Sequence, residues 1–435
     1  MSAVAVFERQ DVPVGGGAPG VLAHGEAEAL EALAERVPGL CDRRYRSVRM
    51  GSYCGLVPLG ARVLEVLPKI DVHGPPEQCR GILLNLLQRG RDRSVFRQLA
   101  ASQQLRTSPL LEVFIAAFFD EVRAIVRGGL LREYQLREDD LRMVRGQVRL
   151  SRQFSALADR RDLVSCRFDE LTADNAWNRL IKAGLRVVRA WIDDIDLSRV
   201  WVELLIAFDE VADVPPSADT YAQLKWDRKA SRYRPAVEWA RRIMSLLSPA
   251  LRAGDAESPG LLFDMDRLWE SAVAAELSRQ LDEAGIRVQA QSGGRYLAAV
   301  AGTNARVVGL RPDLLLKRHG RVVGVGDTKW KRAEPDRNGF LIPNRDDVYQ
   351  MNAYAAAYQC DRLALIYPWH EGLVGTRESV LELPGVGELR PRLQVMCIDV
   401  RDGRFDVVLG RATFAGVEVE GVEQLETGSR LWRHS

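Results

Sequence analysis

Three residues in the C-terminal half of the chain have types and spacing that suit phosphodiester hydrolysis: Asp313, Asp327 and Lys329. Asp327 and Lys329 are two positions apart, so on a β-strand their side chains point to the same side. If His319-Gly320 forms the tip of a hairpin, position 313 pairs with position 326 or 327, and the two carboxylates become neighbours. Two carboxylates so close repel each other at neutral pH unless a cation lies between them.

The predicted cation is Mg²⁺, with Mn²⁺ as a substitute, because hard carboxylate oxygens suit an ion that keeps several waters. An ion held by Asp313 and Asp327 can bind a phosphate oxygen, activate water and offset charge on the leaving oxygen. Lys329 would stabilise the developing negative charge or orient the nucleophile. The alternative is a surface hairpin in which Lys329 simply pairs with an acid.

Two helices could add supporting residues to this set. Glu270, before the predicted sheet, is a candidate third carboxylate for the metal, and the alternative is a solvated helix face. Gln350 and Tyr354 are four positions apart on one face of the following helix. They could orient the lysine or contact phosphate, and the alternative is a polar helix edge.

A helix, three strands, a helix and a further strand are predicted to position these residues. Apolar periodicity, Gly and Pro positions and a capping Asp define the elements. We expect Gly285 to end the first helix and Asp346 to cap the second. The predicted helices are Asp264–Glu283 and Asp346–Gln359, and the predicted strands are Ile286–Gln291, Arg306–Lys317, Arg321–Trp330 and Leu363–Tyr367.

The pattern along the chain predicts three regions. Residues 1–76 are expected to be β-rich, 77–257 mainly helical with a short β segment, and 258–435 an α/β domain that begins at Ser258-Pro259-Gly260. In the middle region, Asp174–Ile192 and Val237–Leu247 are predicted helices. The predicted N-terminal strands are Tyr45–Met50, Ser52–Leu59 and Arg62–Pro68.

The charge balance is nearly neutral, at +2, so any DNA-binding surface must be a local patch. Of the 61 basic residues only seven are Lys, and Arg suits phosphate because its planar fork binds two oxygens at once. A bias in coding toward Arg explains this equally well. The basic stretch 132–161 could face DNA or a protein partner, although a solvated face is the commoner outcome.

Other classes of protein are disfavoured by what the sequence lacks. The six Cys show no C-x-x-C or zinc spacing, so we expect reduced thiols and a cytoplasmic location. The most apolar window, Leu110–Phe119, is interrupted by Glu112 and is too short for a membrane span. No phosphate-binding G-x-x-x-x-G-K-[ST] motif occurs, so the chain itself should bind no nucleotide, and Gly15-Gly16-Gly17 is interpreted as a turn.

Around the Asp–Asp–Lys set the chain resembles the PD-(D/E)xK nuclease superfamily, and more closely the McrC family of McrBC-type restriction systems. The resemblance covers most of the chain, because several separated motifs occur in the right order. These motifs are Leu64–Ile70, Arg145-Gly146-Gln147, Phe168–Arg179, Arg311-Pro312-Asp313 and Asp327-Thr328-Lys329-Trp330. Residues 1–40 resemble the family only loosely.

The resemblance implies a restriction-endonuclease-like C-terminal domain and a division of labour with a partner. A McrB-like AAA+ GTPase hexamer would recognise modified DNA, and the McrC-like chain would dock into that ring through its N-terminal part. It would then stimulate GTP hydrolysis and cut double-stranded DNA that contains methylcytosine. Two alternatives remain: an adaptor that activates an AAA+ motor without cutting, and a stand-alone repair or recombination nuclease. For Phe168–Arg179, capping and bonding within the fold is favoured over catalysis.

Overall fold

The structure is a computed structural model that describes residues 4–16, 20–60, 62–70, 74–90, 96, 108–155, 157, 159–160, 162–215, 224, 226–247, 261–291, 293–303, 305–385 and 388–410. The chain forms two compact units. The first contains Leu56–Val63 and Pro109–Leu262, and the second contains Val4–Gly55, Leu64–Ser108 and the described residues from Phe263 onward. The division predicted from sequence follows chain order, whereas the second unit is assembled from separate stretches. Its predicted boundary, Ser258-Pro259-Gly260, lies outside the described residues.

Mixed α and β structure runs through the whole described chain. The helices are α1 His24–Arg36, α2 Pro76–Arg89, α3 Leu110–Arg127, α4 Leu150–Ser155, α5 Ala176–Val188, α6 Ile195–Ala207, α7 Arg234–Leu247, α8 Met265–Leu281 and α9 Arg345–Tyr358. The strands up to residue 264 are β1 Val4–Phe7, β2 Asp11–Pro13, β3 Cys41–Arg43, β4 Ser47–Met50, β5 Tyr53–Leu59, β6 Arg62–Leu67, β7 Glu133–Leu141, β8 Gln147–Val148, β9 Val164–Thr172 and β10 Leu262–Asp264. The later strands are β11 Arg287–Ala290, β12 Arg295–Ala299, β13 Arg306–Leu310, β14 Leu314–Arg318, β15 Arg321–Thr328, β16 Arg362–Pro368, β17 Ser379–Glu382, β18 Arg392–Asp399 and β19 Asp406–Leu409.

A seven-stranded sheet forms the centre of the second unit. Its order is β11-β14-β15-β16-β18-β17, and β19 also pairs with β18. Strands β15, β16 and β18 are parallel, while β11, β14, β17 and β19 pair antiparallel with their neighbours. Helix α9 makes the crossover from β15 to β16, as a parallel pair requires. The sheet continues into three further strands after Pro368, where no element was predicted.

The β14–β15 hairpin has the predicted tip. His319 and Gly320 both adopt positive φ angles, 50° and 79°, as a tight two-residue hairpin turn requires. Arg318 pairs with Arg321, and the register continues to Leu314 opposite Gly326 with one irregularity after Leu316. The hairpin prediction is confirmed.

Other boundaries differ from the prediction for local reasons. Arg306–Lys317 is two strands rather than one, because β13 pairs with β12 in a separate two-stranded sheet and the chain turns at Pro312 before β14 begins. Helix α9 begins one residue after Asn344, whose side chain accepts a hydrogen bond from the backbone N–H of Asp347. Asn344 is thus the cap, and Asp346 lies inside the first turn, where a negative charge is favourable.

The N-terminal part of the second unit contains more helix than predicted. Strands β4, β5 and β6 match the predicted segments closely, and β2, β4 and β3 form a small sheet. Helix α1, His24–Arg36, was not predicted, because its short Ala- and Glu-rich segment buries only a narrow stripe that includes Ala27 and Leu30. Strand β1 pairs in parallel with β6, which fixes the start of the chain in this unit.

Between residues 109 and 247, the described part of the first unit is mainly helical, with a small sheet formed by β7, β8 and β9. Helices α5 and α7 pack together, and α3 packs on α6 and α7. The predicted helix over Asp174–Ile192 is shorter, because α5 ends at Val188 and gives way to a 3₁₀ turn. Strands β7 and β8 both pair with β9, so the basic stretch 132–161 largely forms an exposed sheet edge and helix α4.

Candidate metal and phosphate site

Asp313 and Asp327 meet across the β14–β15 pair. Leu314 pairs with Gly326, so the preceding residue, Asp313, lies opposite Asp327. The Asp313 carboxylate accepts hydrogen bonds from the backbone N–H and the hydroxyl of Thr328, at 2.7 and 2.8 Å. These two bonds hold Asp313 at the end of β15, and the register expected from the sequence is confirmed.

Asp327 is an almost fully buried carboxylate, with 2% of its surface exposed. Its pKa is raised to about 6, first by burial and second by the negative charge of Asp313, against the opposing effect of Lys329. The Nζ of Lys329 lies 2.6 Å from Oδ2 of Asp327. Burial alone would lower the pKa of Lys329, but Asp327 outweighs that effect, and the pKa of the ammonium group is raised. The site thus has a concentrated negative charge that a cation would relieve.

Gln350 connects three members of the site. Its Oε1 accepts a hydrogen bond from Lys329 Nζ at 3.1 Å, and its Nε2 lies 3.4 Å from Asp327 Oδ1. The same Nε2 donates to the hydroxyl of Tyr354 at 2.8 Å. Burial raises the pKa of Tyr354 to about 12, and the charge of Asp327 adds to this effect. The structure therefore brings Gln350 and Tyr354 to the acid–lysine group, where they can orient the lysine.

A second buried acid next to this group was not anticipated. Asp347 is 7% exposed and lies 2.6 Å from Lys331 Nζ, while Tyr367 donates to it at 3.1 Å. Its other oxygen lies 3.8 Å from Lys329 Nζ. Asp347 precedes Gln350 by three residues on α9, so helix periodicity places it on the same face. Its contact with Lys331, which follows the end of β15 at Thr328, depends on packing.

Glu270 is placed beside the site rather than between the two aspartates. Its carboxylate accepts from Gln291 Nε2 at 3.0 Å, and the backbone N–H of Gln291 donates to the carbonyl of Asp313 at 2.9 Å. The pKa of Asp266, one turn earlier on α8, is also affected by the charges of the site. Partial burial and the charge of Asp264 raise its pKa; among the smaller effects, Lys329 lowers the pKa and Asp313 raises it.

The carboxylate pair has the donor chemistry that Mg²⁺ prefers. Within the described ranges, no three Asp, Glu, His or Cys side chains converge as a metal-ligand cluster, so Glu270 is not drawn into one. Asp313 and Asp327 alone supply two hard oxygen donors. That fits an ion that takes one or two carboxylates and fills its other positions with water and phosphate.

Two residues near the start of the chain, Glu8 and Arg9, hold the residue that follows Lys329. The indole N–H of Trp330 donates to both carboxylate oxygens of Glu8, at 3.0 and 3.1 Å, and Arg9 donates to the carbonyl of Trp330 at 3.3 Å. Glu8 is 3% exposed, and its burial raises its pKa to about 7. The loose resemblance of residues 1–40 to a known family gave no signal for this contact.

A sequence-family comparison decides what kind of protein this is. Residues 48–368 match the family model described as McrBC 5-methylcytosine restriction system component. The chain belongs to this family. The resemblance inferred from the sequence motifs is therefore confirmed, and no curated protein matches the chain.

Two solved McrBC assemblies match the chain of this family member, and a chain of the first shares its fold. One is a refined half-complex from a tetradecameric assembly of Thermococcus gammatolerans McrB AAA+ hexamers with bound McrC, at a TM-score of 0.69 and 18% identity, covering 93% of this chain and 97% of that chain. Another, a cryo-EM structure of the Thermococcus gammatolerans McrBC complex, matches at a TM-score of 0.47 and 18% identity, covering 64% of this chain and 88% of that chain.

The motif Phe168–Arg179 of this McrBC component is structural, as expected. Asn175 caps α5 by accepting from the backbone N–H of Asn178 at 3.1 Å. The fully buried Asn178 donates to the carbonyls of Leu131 and Ala173, and Arg179 pairs with Asp174 at 2.6 Å. These contacts satisfy buried polar groups and join the helix to the strand before it.

The motif Arg145-Gly146-Gln147 also has a structural explanation. Gly146 has φ of 69°, and a Cβ there would lie 2.4 Å from the carbonyl oxygen of Arg167, so only glycine fits. The guanidinium of Arg145 lies over the ring of Phe168, at 4.2 Å.

The basic stretch of this McrBC component is largely neutralised within its own sheet. Arg137 pairs with Glu170 at 2.8 Å, Arg149 with Glu138 at 2.8 Å and Arg152 with Asp140 at 2.9 Å. Among the described helices, none is both long and apolar enough to cross a membrane.

Proposed function

We propose that this chain is the Mg²⁺-dependent DNA-cleaving subunit of its restriction system, with a PD-(D/E)xK-type active site. The observation that carries the proposal is the meeting of Asp313 and Asp327 across adjacent strands, with Lys329 2.6 Å from the buried carboxylate. Membership of the McrBC family supports DNA containing methylcytosine as the substrate class.

The chain's own residues would divide the work between binding and charge stabilisation. Mg²⁺ held by Asp313 and Asp327 would draw charge from the scissile phosphate and ease attack by water. Lys329 would carry a positive charge at that phosphate, and its raised pKa keeps it protonated at neutral pH. Gln350 would fix the ammonium group, because its Oε1 accepts from Nζ at 3.1 Å. When a phosphate oxygen binds at the site, the ammonium group of Lys329 would exchange its ion pair with Asp327 for an ion pair with the phosphate.

A protein partner is supported by an exposed apolar surface in the first unit. On and beside the β7–β9 sheet, several large side chains are exposed, including Tyr134 at 74% and Phe154 at 76%. Patches of this kind mark interaction sites. Because neighbouring arginines are already paired with acids, this face suits a protein better than DNA. We assign the McrB-like AAA+ GTPase hexamer as the partner, by analogy with the assembly of the structural relative.

Reconstituted cleavage tests the assignment. The chain, its McrB-like partner, GTP, Mg²⁺ and DNA containing methylcytosine should together yield double-strand breaks. Asp327→Ala should abolish cutting, whereas Asp406→Ala, at an exposed position on β19, should leave it unchanged. If the Asp327→Ala protein cuts as well as the wild type, the site assignment is wrong.

The same variants separate the nuclease from an adaptor and from a stand-alone enzyme. In the Asp313→Ala protein, stimulation of the partner's GTP turnover should survive while cleavage disappears. Cleavage by the chain alone, without partner or GTP, would instead identify a stand-alone nuclease. Stimulation of GTP turnover with no cleavage by any preparation would identify an adaptor.

A further inference from the structure

Strands β12 and β13 form a ribbon that has no partner sheet. Arg295 pairs with Leu310 and Ala299 with Arg306, so the two strands form a two-stranded antiparallel sheet of their own. Every described residue from 293 to 309 is exposed, including Tyr296, Leu297, Val307 and Val308 at 38% or more. Beyond its own strand pairing, the ribbon contacts α9 through β12, and the rest of its described surface is exposed. Because a two-stranded hairpin alone is marginally stable in water, this exposed surface is suited to being covered by a partner.

The ribbon has an unbalanced positive charge. From Gln291 to Pro312 the sequence has three arginines, at 295, 306 and 311, and no acidic residue. None of the three forms an ion pair with a carboxylate in the described parts of the chain. Arg295 lies 5.9 Å from the ring of Tyr358 on α9, Arg306 lies 6.0 Å from the ring of Tyr296, and Arg311 donates to Gln291 at 2.9 Å. This distinguishes the ribbon from the β7–β9 sheet, where arginines are neutralised by neighbouring acids.

The base of the ribbon is part of the candidate active site. The ribbon leaves the sheet after Gln291 and returns to it at Asp313, and these two residues share a backbone hydrogen bond of 2.9 Å. Gln291 also donates to Glu270, at 3.0 Å. A duplex with one phosphate at Asp313 would therefore extend past the ribbon.

We propose that the β12–β13 ribbon lies in the major groove of the DNA beside the scissile phosphate, with Arg295 and Arg306 contacting the backbone. The major groove is about 12 Å wide and admits a two-stranded ribbon, and five residues of strand extend about 17 Å. The inference rests on the proposed nuclease function, because it takes DNA as the polymer at the site. A second copy of the chain is a poorer occupant, since two such ribbons would bring like charges together.

Binding of the full-length chain to a double-stranded oligonucleotide tests the assignment. Fluorescence anisotropy would be measured in EDTA, which prevents metal-dependent cleavage, from about 50 to 200 mM NaCl. Arg295→Ala/Arg306→Ala should weaken binding and reduce the slope of log affinity against log salt by about two, one for each lost phosphate contact. The control, Arg44→Ala/Arg392→Ala, removes the same charge from arginines already paired with Asp11 and Glu382, at 3.0 and 3.3 Å, and should change the slope little.

Three results would overturn the inference. The first is an equal salt slope for the ribbon variant and the control variant. The second is no DNA binding by the wild type at the lowest salt concentration. The third is a wild-type dimer in sedimentation velocity that the ribbon variant, but not the control variant, converts to a monomer. The last result would assign the ribbon to self-association. This experiment measures binding and not cleavage, so its result is independent of the cleavage test. If the chain binds DNA through the ribbon but never cuts DNA, the proposed function is refuted and this inference stands.

Discussion

At the scale of single residues, the protonation of Asp327 should set the pH range over which the metal binds. Its pKa of about 6 reflects burial first and the charge of Asp313 second. As the pH falls through this value, a proton occupies the carboxylate and competes with the ion. The apparent Mg²⁺ affinity should therefore fall by up to about tenfold per pH unit below pH 6 and level off above pH 7. Titration calorimetry at a series of pH values measures this directly.

Two variants test whether that pH dependence belongs to Asp327. Asp327→Asn removes the titrating group and should abolish metal binding at every pH. Asp347→Asn leaves both proposed ligands in place and should retain the pH dependence, with a somewhat lower midpoint because the charge of Asp347 also raises the pKa of Asp327. Affinity that stays constant between pH 5 and 8 in the wild type would contradict the assignment of Asp327 as a ligand.

Gln350 should contribute more to cleavage than Tyr354, because it contacts Lys329 directly. Tyr354→Phe removes only the acceptor for Gln350 Nε2, a bond worth about 1 kcal/mol, so a loss of about fivefold in kcat is expected. Gln350→Ala frees the lysine and should lower kcat by more than tenfold, with little change in KM. Single-turnover cleavage compares the two, and a Tyr354→Phe defect at least as large as that of Gln350→Ala would refute this ranking.

The central pair of this site and the helix residues Gln350 and Tyr354 could be predicted from the sequence, whereas the rest of its surroundings could not. Positions 313 and 327 follow from a hairpin tip and a two-residue period, both of which are local rules. Asp347 and Glu8 enter the site from α9 and from the start of the chain, so their roles depend on long-range packing. Glu270 had a plausible helical position, but the register of α8 brings its carboxylate to Gln291 instead.

At the scale of secondary structure, the segment that follows β1 holds the end of β15 through a buried carboxylate. Glu8 accepts from Trp330 and from the backbone N–H of Lys69, and its pKa is raised from 4.5 to about 7 by burial. Between these two values the folded state holds a proton that the unfolded state has lost. The contribution of Glu8 to stability therefore declines as the pH rises from 4.5 to 7, by an amount on the order of 3 kcal/mol.

Glu8→Gln should remove this pH dependence while keeping both hydrogen bonds, because both donors reach Oε1. Relative to the wild type, the variant should gain stability as the pH rises from about 5 to 8. Urea unfolding at each pH measures the difference. Glu28→Gln, at an exposed position on α1, is the control and should shift little. A wild-type-minus-variant difference that does not change with pH would contradict the prediction.

Element boundaries could be predicted where a single local signal dominates. The His319-Gly320 turn and the buried strand β16 needed no tertiary information. The ribbon was missed because Arg306–Leu310 has the apolar composition of a buried strand, yet it pairs with β12 and stays exposed. Asn344 was missed as a cap because Asp346 is an equally good capping residue, and only the path of the preceding loop distinguishes them.

At the scale of the whole molecule, residues far apart in sequence complete the second unit. The buried Asn85 on α2 donates to the carbonyls of Val400 and Arg401, at 2.7 and 2.8 Å. Arg89, on the same helix, forms an ion pair with Glu276 and donates to the carbonyl of Gly403. Helix α2 thus packs on α8 and binds the loop after β18, which composition shifts along the chain could not indicate.

A fragment that contains residues 258–435 alone should therefore fold poorly. It would leave the indole N–H of Trp330 without Glu8, the carbonyls of Val400 and Arg401 without Asn85, and the apolar face of α8 uncovered. Unpaired buried groups cost about 1–3 kcal/mol each, which is comparable to the stability of a whole domain when several occur together. Co-expression with residues 1–108, which supply all three missing contacts, should restore a cooperative thermal transition. Co-expression with residues 109–257, which belong to the other unit, should not restore this transition. If the isolated fragment shows a thermal transition equal to that of the full chain, the C-terminal region is an independent domain and the prediction is wrong.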